Sequence, residues 1–180
     1  MANEGPNRIR DIPPEQLSAA QKTAIEAVLG GRGRLPGPYK IWLHSPVMMQ
    51  RLERLGTFLV NESSLTKREQ ELAILCIACH WHGNFVFTVH SRVAREQSVP
   101  ESVIEDIRAG RMPKLSDQRE AAVVEIALSA PDPDPASDAV FARAITALGE
   151  QGLADLLVFL GYYSTVAMAM KLHRVPVPQR

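Results

Sequence analysis

Apolar residues recur every three to four positions through most of the chain, and no stretch alternates apolar and polar residues as a half-buried strand would. The pattern predicts an all-α bundle of about eight helices with no sheet. A first helix is expected over residues 14–29, opened by Pro13-Pro14 and closed by Gly30-Gly31, with a turn-rich connector, GRGRLPGP, over 31–38. Pro46 opens a helix to residue 61 with Leu52, Leu55 and Leu59 on one stripe. Thr66 and Glu69 have capping-box spacing, so a helix should start there and run towards Trp81. Gly83 should break it, and a further helix carries residues 85–96. Ser98 and Glu101 repeat the capping-box spacing ahead of a short helix ending at Gly110, and Ser116 precedes a helix over 117–129. The segment PDPDP (131–135) reads as a rigid acidic loop, after which Ser137 caps a helix to Leu148 and a last helix spans 151–172. The tail RVPVPQR cannot prolong it, because proline lacks the amide donor and clashes with the preceding turn.

A chain of 180 residues can bury most of its apolar surface as one domain. Residues 1–36 read as an N-terminal helix and connector, and 37–180 as the main helical domain, the two packed as one unit. The formal net charge is zero and the Lys and Arg residues are scattered, which gives no reason to expect nucleic acid or an anionic membrane as partner. The apolar stretch 153–170 approaches the length of a membrane span, yet Asp155, Gly161, Ser164 and Thr165 interrupt it. It reads as a buried helix of the core or of a subunit interface. The first residues, MANEGPNRIRDIPPEQ, contain no apolar signal core, and two cysteines in such a chain point to reduced thiols and a cytoplasmic location.

Chemistry concentrates between residues 66 and 110, TKREQELAILCIACHWHGNFVFTVHSRVAREQSVPESVIEDIRAG. Glu71 lies about 200° round the helix from Glu69, so one of the two acids should point inward. A Glu on this helix and His90 on the next can meet across an antiparallel pair, and imidazole is the side chain suited to exchanging protons near neutral pH. His80, Trp81 and His82 form a polar-aromatic corner that could shape a pocket mouth. A metal would have to recruit His80 or His82 with His90 and Glu71, but the two corner histidines project to different faces and no HExxH spacing exists, so no metal site is expected. Cys76 and Cys79 form a CxxC in mid-helix among Ile74, Leu75, Ile77 and Ala78, where cysteine behaves as a small buried hydrophobe.

This segment resembles the alkylhydroperoxidase D-like / carboxymuconolactone decarboxylase family. The resemblance extends to GPYKIWLHSPVMMQRLERLG (37–56) and to a second half containing Gly161-Tyr162-Tyr163. In the register of the family's thiol peroxidases the acid falls on Glu71 and the histidine on His90, while the two thiol positions fall on Gly83 and Val86. The resemblance therefore implies an alkylhydroperoxidase D-like bundle and a homo-oligomer, commonly a trimer or hexamer. It also implies a cofactor-free, lyase-type enzyme of aromatic catabolism acting on a small lactone or carboxylic acid. Glu71 and His90 would transfer the proton, His82, Trp81, Arg92 and Tyr162 would line the pocket, and Arg68 or Arg92 would hold a carboxylate. Two alternatives stand beside it. One is a peroxiredoxin-like hydroperoxidase (an oxidoreductase) using Cys76 and Cys79, which needs a low-pKa thiolate and a resolving thiol. The other is an oligomeric binding protein without catalysis.

Overall fold

Ten consecutive residues of one helix, Glu69 through Ala78, are buried, and this helix organises the rest. The computed structural model describes residues 5–33, 35, 37–134 and 136–178, so Arg34 and Pro36 of the expected connector, Pro135 of the acidic loop, the first four residues and the last two lie outside the described residues. Eight α-helices and no strand occur among the described residues: α1 (Ala19–Arg32), α2 (Gly37–Trp42), α3 (Pro46–Asn61), α4 (Lys67–His80), α5 (Asn84–Glu96), α6 (Glu101–Arg108), α7 (Gln118–Ser129) and α8 (Asp138–Leu172). The protein is an all-α bundle. Helix α4 packs against α5, α6, α7 and α8, which is why it carries aliphatic residues on every side rather than on one stripe. Its start follows the sequence rule: the Thr66 hydroxyl accepts from the Glu69 amide, and the Glu69 carboxylate accepts from the Thr66 amide at 2.8 Å.

Several expected boundaries move, each for a local reason. Pro14–Gln16 form a single 3-10 turn, and α1 begins only at Ala19, because Ser18 and Gln21 make a reciprocal capping box. Helix α1 runs through Gly30 and Gly31 and stops at Gly33, whose φ of 66° is the left-handed cap that glycine adopts without penalty. The end of the expected connector is helical, since Gly37 opens α2. Ser98 caps nothing: it sits at φ 60° behind α5, and Pro100 precedes α6 instead. Asp117 rather than Ser116 caps α7, accepting from the amides of Arg119 and Glu120. The two last expected helices follow one another without a loop, kinked at Gly149 with φ 71° and ψ 175°.

Partly buried ion pairs tie the layers together. Arg119 of α7 reaches Glu69 of α4 at 2.9 Å and the Ala147 carbonyl of α8 at 3.0 Å. Arg68 clamps Glu120 at 2.5 Å and the carbonyls of Gln97 and Ser98. Glu69 and Glu71 are therefore both inward, where their spacing predicts only one, because each meets a cationic or imidazole partner on a different neighbouring helix. The N-terminal helix joins the same core: Ala24 and Val28 are fully buried and α1 packs on α3.

Candidate functional site

Helices α4 and α5 are joined by a corner so tight that His82 takes a positive φ of 51°. Gly83 follows, and a Cβ placed there would lie 3.1 Å from the Ala167 Cβ of α8. The corner lets α5 fold back along α4 and against α8. It also brings Glu71, one turn into α4, opposite His90 of α5, with Glu71 Oε2 and His90 Nδ1 2.9 Å apart. Glu71 is 9% exposed and its carboxylate ends against the imidazole. A carboxylate only accepts, so the proton of this bond sits on Nδ1 and Nε2 is the ring nitrogen left for chemistry. The edge-to-face contact of His90 with Tyr163, centroids 5.4 Å apart, holds the ring from another side.

His90 lines a cavity of about 420 Å³ between α2, α5 and α8. Its apolar walls are Trp42, Phe85, Val86, Val89, Val93 and Val166, and its polar edges are His90, Tyr39, Tyr162 and Tyr163. Among the described residues no Lys or Arg lines it. Behind Tyr39 stands a second buried acid, Glu53 of α3, 6% exposed, which accepts the Tyr39 hydroxyl on one oxygen and that of Thr57 at 2.9 Å on the other. The hydroxyls of Tyr39 and Tyr162 lie 3.4 Å apart. A larger groove of about 700 Å³ runs between α7 and α8, but its charged residues, Glu125 and Arg143, pair with each other and it holds no imidazole or thiol.

Of the residues expected at the site, His90 and Tyr162 line this cavity, and Glu71 stands behind His90. Trp81 does not: its indole nitrogen donates to Ser164 at 2.9 Å, away from the lining. His82 is exposed at the corner, also away from the lining. Arg92 sits on the adjoining face of α5, in a groove of about 510 Å³ shared with Arg95 and Arg108, which meets the cavity only at Pro178. Arg68 is engaged by Glu120. Among the described residues no three His, Cys, Asp or Glu side chains are grouped as a metal site.

The two cysteines form no disulfide and neither lines the cavity. Burial pushes the Cys76 thiol far up, with the neighbouring Cys79 adding to it. Cys79 is only partly covered, yet burial raises its thiol as well, and its Sγ lies 3.4 Å from the Arg108 carbonyl. Val86 is a buried wall residue and Gly83 has little room for a side chain, so the thiol positions of the family register are filled by packing here.

Tyr39 and Glu53 were not legible as site residues. The available signal was an acid on an apolar stripe: Met49, Glu53 and Gly56 are the buried positions of α3, together with Leu59, whereas Leu52 and Leu55 are half-buried. No protein-family model matches the chain, and no curated protein matches it either.

Proposed function

We propose that the α2–α5–α8 cavity is the active site of a cofactor-free acid/base enzyme, with Glu71 and His90 as its proton-transferring pair. The observation that carries this reading is the 2.9 Å Glu71–His90 bond with the imidazole on the wall of an aromatic-lined cavity. Glu71 fixes the tautomer and offsets the charge of the imidazolium, and His90 Nε2 takes or gives the substrate proton. The resemblance to carboxymuconolactone decarboxylases supports lyase chemistry in an alkylhydroperoxidase D-like bundle. In that reaction the bond to a carboxylate carbon breaks, CO2 leaves, and the electron pair left on carbon takes a proton from His90. Arg92 is the arginine we assign to a substrate carboxylate, because its groove adjoins the cavity. The substrate is a small molecule with an apolar body, matched to the walls of Trp42, Phe85 and Val93.

A thiol-peroxidase reading finds little support, because an attacking thiolate needs a lowered pKa and access, and both thiols are shifted the other way. A cytoplasmic location fits two cysteines that form no disulfide. The decisive experiment is His90→Gln, assayed beside wild type on lactone acids and organic hydroperoxides. Gln keeps bulk and hydrogen bonding but cannot exchange a proton near neutral pH, so turnover should fall roughly 10²–10⁴-fold with melting temperature nearly unchanged. Undiminished turnover would remove His90 from the mechanism, and absence of wild-type turnover on every candidate would favour the non-catalytic binding protein.

A further inference from the structure

The wall opposite α5 carries chemistry that the Glu71–His90 pair does not use. Tyr39 is 2% exposed, and its ring is held edge-on by Trp42 at 5.1 Å between centroids. Trp42 packs in turn on Tyr162 at 6.1 Å. The Tyr39 hydroxyl has a single proton, and that proton goes to Glu53. Every other hydrogen bond its oxygen makes is therefore as an acceptor, including the 3.4 Å contact in which Tyr162 must donate. A buried carboxylate behind a phenol also makes the phenolic oxygen a stronger acceptor than an isolated tyrosine, by the polarisation that chains of hydrogen bonds show.

We infer that Tyr39, backed by Glu53, is a binding group for a ligand hydroxyl, so that the cavity takes a molecule with an aromatic or apolar body and one hydroxyl donor, of the phenol or enol class. The wall chemistry fits that class. Among the described residues the lining offers aromatic and valine surfaces and no Lys or Arg, so it suits the uncharged body of the ligand, and a carboxylate would have to reach the adjoining groove of Arg92. Tyr39 and His90 line the same cavity, which places a hydroxyl-bearing ligand with its oxygen on Tyr39 in a space that His90 also faces. This inference deepens the acid/base reading of the cavity and rests on it for the location of the ligand.

Phenol and anisole test it, since they share one ring and differ in the donor proton. Anisole is the more hydrophobic, so burial alone would favour anisole. The expected result, by calorimetry or ligand-observed NMR on the wild-type chain, is phenol binding roughly tenfold more tightly, the worth of one good hydrogen bond to a polarised acceptor. Tyr39→Phe should abolish the preference. Glu53→Gln should weaken or reverse it, because the side-chain amide it introduces can donate to Tyr39 and release the phenolic proton towards the ligand. Equal affinities in wild type, a preference for anisole, no binding of either, or a phenol preference surviving in Tyr39→Phe would each overturn the assignment. The wild-type comparison needs no variant to fold. It is also a binding measurement, so it stands apart from whether His90→Gln loses turnover.

Discussion

Glu69 and Glu71 are two residues apart and both buried, yet only one is tied to a cavity. Glu69 closes the capping box with Thr66 and neutralises Arg119, so its burial is a matter of packing. Glu71 ends on an imidazole that lines the cavity wall. The pairing of Glu71 with His90 was readable because both lie on consecutive helices joined by a short corner, where spacing along the chain sets spacing in space. The pairing of Tyr39 with Glu53 was not, because it depends on how α2 lies across α3, and periodicity carries no information about crossing geometry. The thiols give a pH prediction with a definite sign. Burial lifts Cys76 above its ordinary 9.0, so in the alkaline range the folded chain keeps a proton that the unfolded chain has released. Stability is then full below the unfolded thiol's pKa and falls as pH rises beyond it, by roughly 1.4 kcal/mol per pH unit for a fully buried group. Urea midpoints measured from neutral pH to about pH 10 should decline less steeply in Cys76→Ala than in wild type. Parallel curves would show that the thiol stays protonated or titrates alike in both states.

Among the helices, the capping signals were informative only where the neighbouring residue allowed them. Thr66-x-x-Glu69 forms its box, whereas the same spacing at Ser98-x-x-Glu101 is defeated by Pro100, which keeps Val99 out of helical conformation and itself takes the cap position before α6. Ser18-x-x-Gln21 forms a box that the preceding Pro13-Pro14 hid, since a proline pair also looks like a helix start. Gly149 marks the predicted gap between the last two helices, although no loop opens there. Its φ of 71° with ψ near 175° is a region that essentially only glycine enters, and no atom within 4 Å would obstruct a Cβ there. Any cost of substitution is therefore backbone strain alone. Gly149→Ala should destabilise the chain by about 1–3 kcal/mol, while Gly161→Ala, helical and equally unobstructed, should be neutral or stabilise by up to about 1 kcal/mol. Thermal or urea denaturation of the two variants side by side checks this, and equal effects would mean that Gly149 is not strained for a side chain.

The second half of α8 keeps an apolar face outside the bundle. Leu156, Phe159, Leu160 and Met170 fill the core, but Leu157 (49% exposed), Val158 (48%), Met168 (41%) and Leu172 (66%) look outward. With Gly161 and Thr165, also exposed, they continue as a stripe at helical spacing along the outer face. By length and composition α8 could cross a membrane, yet 44% of its most apolar window is buried inside the bundle, so one face is already committed to protein. The sequence marked this stretch as a core or interface helix, and the 3.6-residue period assigns its faces but cannot say what meets the second one. The homo-oligomer that the family resemblance implies would supply an occupant, a second copy of the same face, and a net charge of zero leaves such an association unopposed by long-range repulsion. Gly161 is the place to test it, since a Cβ there meets nothing within 4 Å and a substitution disturbs no contact within the protomer. Gly161→Glu would set a carboxylate in the middle of the stripe, and a charge buried between copies without a partner costs several kcal/mol. Sedimentation of the wild-type chain at micromolar concentration should give a multiple of 19.8 kDa, and the variant should sediment as a monomer with its helical content intact. A monomeric wild type, or a variant whose assembly is unchanged, would remove α8 from the interface and leave its outer face to be explained by a different partner.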